Sequence, residues 1–138
     1  MRRNLTPAEL GDLLERPLNA ILAVYRKDGT VLLTPVWHRW DGEQFLLEIP
    51  AGDRKIAMLE RDPRVSLLVA ENEFPYRAIE VRGRAALSRD DYEAEGRAIA
   101  VRYDPSRPDD YLSGEPGVVV RVVAEAVRAW DYADDAFY

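Results

Sequence analysis

The pattern of apolar positions along the chain predicts a domain built mainly from antiparallel β-strands. Six apolar runs of strand length, some alternating with polar residues, are separated by turn-forming residues. The predicted strands span residues 18–26, 31–40, 43–49, 65–69, 76–87 and 118–131. Asp28-Gly29 and Asp41-Gly42 are tight-turn dipeptides between the first three strands, which indicates an antiparallel meander.

Three short helices are predicted between these strands. Thr6 and Glu9 form a capping-box signature, and Asp53 is a typical N-cap residue. The predicted helices span residues 6–15, 54–61 and 88–103, and residues 109–112 have the pattern of one further turn. Several strands are apolar on both faces, which in an antiparallel sheet indicates a closed barrel covered by helices or by a second subunit. Gly83, inside the fifth strand, predicts a β-bulge or a close backbone approach.

We therefore predict a single domain over residues 1–138, a six-stranded antiparallel β-barrel with flanking helices. The net charge of −6 argues against binding to nucleic acid or to an anionic membrane. The chain has no cysteine, which excludes disulfides and thiolate chemistry and fits a reducing cytoplasm. No apolar run approaches the ~18 residues of a membrane span, so we expect a cytoplasmic protein without a membrane partner.

His38 is the only histidine of the chain, and no nucleophile-elbow motif accompanies it. One histidine without cysteine argues against a zinc site, and we expect no bound metal. On base rates, a lone histidine on a strand is more often a solvent-facing residue or a subunit contact than a catalytic group. We therefore expect His38 to face solvent or a subunit contact.

The segment Gly52-Asp53-Arg54-Lys55 places two cations at the start of a helix that directly follows a strand. Positive residues at a helix N-terminus oppose the helix dipole, and an anionic ligand such as phosphate would remove the conflict. Arg54 offers a bidentate fork and Lys55 a point charge for that purpose. The alternative is two solvated charges beside Asp53 and Glu60, and this segment alone leaves both interpretations open.

The segment Thr34-Pro35-Val36-Trp37 places a proline inside a predicted strand. Because proline cannot donate to a β-ladder, the strand must lie at an edge, carry a bulge or be open at this point. Such a gap can expose backbone groups to a planar ring. Taken alone, the segment favours a simpler interpretation, in which Pro35 marks a sheet edge and Trp37 fills the core.

Taken together, the order and spacing of the motifs are more specific than any one of them. In chain order they are Asp28-Gly29, Thr34-Pro35-Val36-Trp37, Trp40-Asp41-Gly42, Gly52-Asp53-Arg54-Lys55, Arg61-Asp62-Pro63-Arg64-Val65-Ser66, Tyr76-Arg77 and Glu80-Val81-Arg82-Gly83. Over about residues 5–130 this arrangement resembles the pyridoxamine-phosphate-oxidase-like family, in particular its branch of coenzyme F420-dependent enzymes.

The resemblance implies a six-stranded split barrel and a homodimer with two cofactor sites at the subunit interface. The implied cofactor is the deazaflavin F420 or FMN. The implied cofactor-binding residues are Arg54 and Lys55 at the phosphate, Thr34, Pro35 and Val36 along the ring, Leu47, Glu48 and Ile49 beside it, and Tyr76 and Arg77 from the partner chain. Two positions depart from the family pattern: Met58 replaces a frequent asparagine, and Glu48 replaces a frequent serine or threonine. These departures leave the choice between F420 and FMN open.

The function implied by the resemblance is an oxidoreductase that transfers a hydride between the cofactor and a small organic molecule. No catalytic residue is identified, although His38, Tyr76 and Glu48 are possible proton donors. The alternative is a non-catalytic carrier or sensor of a flavin-like ligand. A haem-degrading relative is disfavoured, because the only possible histidine ligand lies in a predicted strand.

Overall fold

Seven strands and two α-helices build the described part of the chain, residues 1–111 and 114–135, in a computed structural model. The strands are β1 (Ala20–Tyr25), β2 (Val31–Val36), β3 (Arg39–Trp40), β4 (Phe45–Pro50), β5 (Arg64–Ala70), β6 (Ala78–Ser88) and β7 (Gly117–Trp130). The helices are α1 (Arg54–Arg61) and α2 (Tyr92–Tyr103), and single 3-10 turns span Pro7–Leu10 and Pro108–Tyr111. Neither helix is long and apolar enough to cross a membrane.

All seven strands lie in one antiparallel sheet, in the order β2-β1-β5-β6-β7-β4-β3. β2 and β3 are at opposite edges of this sheet, yet only Trp37 and His38 separate them along the chain. The sheet must therefore curl until its two edges come close together, which makes a split β-barrel. The predicted fold class is confirmed, with seven strands instead of six because the predicted strand over residues 31–40 is divided in two.

The predicted meander of the first three strands is wrong in its middle part. β1 pairs with β2 and β3 pairs with β4, as the two Asp-Gly turns indicate, but β2 and β4 belong to opposite edges. The backbone at His38 is bound by α2 instead of by a strand: its N–H donates to the Tyr103 hydroxyl at 3.0 Å, and its carbonyl accepts from Arg102. These long-range bonds carry the chain from one sheet edge to the other.

Among the described residues, aliphatic side chains and one phenylalanine pack the barrel interior, and α1 contributes to the same core. Fully buried core residues include Leu22, Val24, Phe45, Leu47, Leu67, Val81, Val120 and Val122, with Ile56 and Leu59 contributed by α1. Burial of each large aliphatic side chain stabilises the fold by about 1.5–3 kcal/mol. The core therefore fixes the frame on which the two sheet edges are held.

A β-bulge in β7, opposite the Arg82–Gly83 step of β6, lets the long β7 strand serve both halves of the sheet. The β6–β7 register shifts between Arg82 and Gly83, as the isolated glycine predicts. A Cβ added to Gly83 would lie 1.9 Å from the backbone oxygen of Val123, so only glycine fits this approach. Beyond the shift, β7 pairs with β4 through residues 117–122.

The helix predictions are correct for α1 and partly wrong for the other two. The capping box at Thr6 and Glu9 is present, but the first segment is only a 3-10 turn because Gly11, at φ 64°, leaves the helical region. α2 begins at Tyr92, since the preceding Asp91 adopts a left-handed conformation at φ 57°. The predicted turn over residues 109–112 spans Pro108–Tyr111, and residue 112 lies outside the described chain.

Candidate functional site

A cavity of about 370 Å³ lies between the two edges of the sheet. Its wall is formed by Val36, Trp37, Glu48, Ile49, Pro50, Asp53, Lys55, Gly96, Ile99, Ala100 and Tyr111. β3 pairs with only Phe45 and Leu46 of β4, so the rest of β4 has a described sheet partner on the β7 side alone. The cavity follows this open edge of β4 toward the end of β2, and we call it the cleft.

Lys55 brings a positive charge to the cleft wall, at the N-terminus of α1. Asp53 caps the helix: its carboxylate accepts the Lys55 backbone N–H at 2.8 Å and the Lys55 ammonium at 3.1 Å. Burial raises the pKa of Asp53, but these bonds outweigh it, and the pKa lies below its usual value. The cap thus holds the ammonium beside the free N–H groups of the helix, an arrangement suited to an anion.

Arg54 lies outside the cleft wall, although it precedes Lys55 directly. Its side chain is exposed, and it makes no hydrogen bond or ion pair with the described residues. Adjacent helix residues point in directions about 100° apart, which explains why only one of the two cations lines the cleft. The exposed Arg54 side chain can contact a ligand that extends out of the cleft.

Glu48 projects into the cleft from the open edge of β4 and is half-buried. Among the described residues, its carboxylate has no hydrogen-bond or ion-pair partner. Burial raises the pKa of Glu48. The space for this side chain is provided by Gly117, where an added Cβ would lie 1.7 Å from Oε1, and by Gly96, where it would lie 3.6 Å away.

An aromatic wall faces the open edge of β4. The Trp37 indole stacks on Tyr103 with ring centroids 4.6 Å apart and planes 2° apart, and Tyr111 meets Trp37 edge-on at 4.8 Å. The Tyr111 hydroxyl donates to Asp104 at 3.0 Å, which fixes its ring. Trp37 therefore neither fills the barrel core nor faces solvent; it provides a flat apolar surface of the kind that holds a planar ring.

The structure brings four of the ten predicted site residues together in the cleft wall. These are Val36, Glu48, Ile49 and Lys55, and the other six are Thr34, Pro35, Leu47, Arg54, Tyr76 and Arg77. Strand alternation explains part of the division: Pro35 is exposed on the outer face of β2, and Leu47 is buried in the core. The Thr34 hydroxyl is buried and has no described hydrogen-bond partner.

Arg77 binds residues of its own chain. Its guanidinium donates to both carboxylate oxygens of Glu71, at 2.8 and 2.7 Å, to Asp12 at 2.6 Å and to the Leu10 carbonyl at 2.8 Å. Arg16 donates to the same buried Glu71 at 2.6 Å. Arg77 thus ties the β5–β6 loop to the N-terminal segment. Its role toward a partner chain stays a prediction.

Tyr76 lies in the same loop, away from the cleft of its own chain. Its ring meets Phe74 edge-on at 5.9 Å and Tyr132 edge-on at 6.4 Å. The three rings form an aromatic cluster beside the end of β7. A contact of Tyr76 with the cofactor of a partner chain likewise stays a prediction.

The expectation that His38 faces solvent or a subunit contact is wrong. The side chain is fully buried, and its ring lies edge-on to Phe45 at 5.3 Å and to Tyr103 at 6.3 Å. Both ring nitrogens lack a described partner, and burial lowers the pKa of His38 to about 4. A neutral imidazole enclosed in this way can neither ligate haem nor exchange a proton with a ligand unless the core opens.

Sequence reasoning missed the contribution of α2 and of Tyr111 to the cleft. Gly96 carried a usable signal, because a glycine inside a helix costs about 1 kcal/mol relative to alanine and often marks a packing requirement. The described residues contain no group of three or more histidine, cysteine, aspartate or glutamate side chains able to hold a metal ion. The residues present instead fit an organic ligand with an anionic group for Lys55 and a flat ring for Trp37, since both side chains line the cleft.

Comparison with known proteins identifies the family. Residues 6–131 match the family model described as pyridoxamine 5'-phosphate oxidase. An F420 reductase of known structure is 30% identical, with a TM-score of 0.70, and the match covers 84% of this chain and 93% of that chain. The conserved hypothetical protein Rv2991 from Mycobacterium tuberculosis is 28% identical, with a TM-score of 0.76 and coverage of 93% and 86%.

A more distant structure supports the fold alone. The FAD-binding protein mll6688 from Mesorhizobium loti is 24% identical over 93% of each chain, with a TM-score of 0.69. No curated protein sequence matches the chain. The family model and the F420 reductase each cover most of the chain, so the protein belongs to the pyridoxamine 5'-phosphate oxidase family, which includes oxidoreductases.

Proposed function

We propose that the protein is an oxidoreductase that binds F420 or FMN in the cleft and transfers a hydride to or from a small organic molecule. The observation that carries the proposal is that Lys55, held by Asp53 at a helix N-terminus, lines the same cavity as the flat aromatic side chain of Trp37. Both cofactors join a phosphate to a tricyclic ring. The 30% identical F420 reductase favours the deazaflavin.

Each part of the cleft has a distinct task in this proposal. The bound cofactor would supply the hydride chemistry. Lys55 and the N–H groups of α1 would bind its phosphate, with Arg54 adding a contact from the mouth of the cleft. Val36, Ile49 and Trp37 would position the ring, and the buried face of α2 would exclude water from it.

A second copy of the chain completes the site in this proposal. Ile21, Val31 and Leu33 are 38%, 40% and 64% exposed. The β1–β2 register places them on one face together with Pro35, directly beside Val36 of the cleft. A homodimer formed through this face would cover the apolar patch and bring the partner's loop toward the ring.

Binding and turnover experiments separate this proposal from a carrier or sensor function. The purified protein is titrated with F420 and, separately, with FMN, and binding is followed by cofactor fluorescence. The bound cofactor is then reduced, and its reoxidation by small unsaturated molecules is measured. Binding with turnover supports the oxidoreductase, and binding without turnover supports a carrier. Failure to bind either cofactor contradicts both.

A further inference from the structure

Glu48 lies where the cleft meets a second cavity. This neighbouring cavity, of about 310 Å³, shares Glu48, Pro50 and Tyr111 with the cleft wall. Its remaining wall is formed by Tyr92, Glu93, Gly114 and Glu115. Lys55 lines the cleft but not this second cavity. The Glu48 carboxyl therefore faces both the proposed cofactor volume and an adjoining space of similar size.

Glu48 lines the cleft together with the aromatic residues Trp37 and Tyr111. Tyr111 also lines the second cavity with Glu48, and its ring meets Trp37 edge-on at 4.8 Å. On β4, Glu48 precedes Pro50 by two residues on the same face, about 7 Å along the strand. The carboxyl thus lies beside the aromatic wall that would hold the reactive ring.

The surroundings of Glu48 are built to hold an unpaired carboxyl. Gly117 leaves room for Oε1 that any other residue would occupy, and α2 covers the side chain through Gly96. Asp53, in the same wall, is by contrast paired with Lys55. Burial without a partner favours the protonated form, and the pKa of Glu48 is raised accordingly. A protonated Glu48 also does not repel a nearby phosphate.

We propose that Glu48 is the proton donor of the reaction, acting on a substrate bound in the second cavity. This inference rests on the proposed function, taken in the direction of reduction. The reductant is the dihydro form of the deazaflavin or flavin, and the substrate contains a polarised carbon–carbon double bond. One carbon gains a hydride, the π electron pair moves to the other carbon, and that carbon takes the proton as the Glu48 O–H bond breaks. Water then returns a proton to the carboxylate.

The first test is the titration of the carboxyl itself, which requires no substrate. Infrared difference spectra between the wild type and Glu48→Gln, recorded from about pH 4 to about pH 8, isolate the carboxyl band of Glu48. We expect the protonated band to persist well above the pH at which an ordinary glutamate loses it. The groups that face the two cavities and shape this titration are Asp53, Lys55, Tyr92, Glu93, Tyr111 and Glu115. A carboxyl that titrates like an exposed glutamate overturns the inference.

The second test compares turnover with cofactor binding, using 2-cyclohexenone and reduced F420. Glu48→Gln should lower the turnover rate on the order of a hundredfold, because general acids contribute about 10²–10⁴-fold. Its affinity for F420 should be unchanged, since neither the protonated carboxyl nor the glutamine amide carries a charge. Glu48→Asp should recover part of the rate. Glu43→Gln, an exposed change in the turn before β4, serves as the control.

The outcomes distinguish this inference from the proposed function. If the wild type binds F420 and reduces 2-cyclohexenone while Glu48→Gln is equally fast, the inference fails and the proposed function stands. If neither F420 nor FMN binds, the proposed function fails, and the inference fails with it. If the wild type binds cofactor but does not reduce 2-cyclohexenone, the inference fails, because the proposed substrate has the same polarised carbon–carbon double bond.

Discussion

Two charged residues at the cleft, Glu48 and Arg54, differ from many of the charged residues elsewhere in the fold. Glu71, Glu95 and Asp131 each accept a two-point hydrogen bond from an arginine of the same chain. Glu48 and Arg54 have no such partner among the described residues, although one is half-buried and the other follows the helix cap. Because an unpaired ionisable group gains most from a ligand, these two residues carry more functional information than the paired ones.

His38 gives a prediction about the pH dependence of stability. Its pKa is about 4 in the folded protein, as burial disfavours the charged ring, and about 6.5 when unfolded. Between these values the unfolded state binds more protons, so the free energy of unfolding should fall as pH drops from about 6.5 to about 4, by up to ~1.4 kcal/mol per pH unit. Denaturant titrations of the wild type and His38→Leu at several pH values measure this dependence. Equal slopes in the two proteins would show that His38 is not buried as a neutral ring.

Among the elements, those with local signals were predictable from sequence and those made by long-range contacts were not. α1 spans the predicted residues because both of its ends are encoded locally, by the Asp53 cap and by Pro63. The break between β2 and β3 has no local signal beyond Pro35. It depends on the hydrogen bonds of the His38 backbone, which accepts from Arg102 and donates to Tyr103, both more than 60 residues away.

Two glycines test the packing of these elements with the same chemical change. Gly83→Ala places a methyl group 1.9 Å from a backbone oxygen, and should lower the free energy of unfolding by about 1–3 kcal/mol or more. In Gly96→Ala the new methyl group lies 3.6 Å from Glu48, an ordinary contact. This change should raise the free energy of unfolding by about 0.5–1 kcal/mol, because alanine has the higher helix propensity. Denaturant unfolding measures both. If Gly83→Ala were the more stable variant, the close approach at the bulge and the packing of α2 over Glu48 would both be contradicted.

The cleft is a property of the whole molecule, since it exists only because the curled sheet leaves β2 and β4 unpaired with each other. The local sequence indicates the proline-containing edge, the Asp53 cap and Lys55 as an anion-binding candidate, and the family resemblance adds Glu48. Nothing local indicated that Gly96 and Gly117 would meet Glu48, because these contacts join residues about 50 to 70 positions apart. Leu47 illustrates the limit for strand residues. Strand alternation turns its side chain into the barrel core, and the sequence alone does not show which face of β4 borders the cleft.

The exposed face of β1 and β2 predicts the oligomeric state. Burial of Ile21, Val31 and Leu33 against a second copy would remove a contiguous apolar patch from water. Leu33→Glu should therefore shift the protein from dimer to monomer in sedimentation experiments at micromolar concentration. Val123→Glu, on the outer face of β7, is the control for an exposed valine elsewhere. A wild type that sediments as a folded monomer would contradict the prediction.

Binding of a phosphate-bearing flavin-type cofactor at the N-terminus of α1 can be decided by measuring its dissociation constant in lysine variants. The chain contains only two lysines, Lys55 in the cleft and Lys27 in an exposed hairpin turn, so Lys27→Ala is a control of identical charge change. A charge-assisted contact contributes about 1.5–3 kcal/mol. Lys55→Ala should therefore weaken binding of F420 or FMN by about ten- to a hundredfold, and Arg54→Ala should do the same with little change in melting temperature. Lys27→Ala should bind like the wild type. Wild-type affinity for both cofactors in Lys55→Ala and Arg54→Ala would contradict the account.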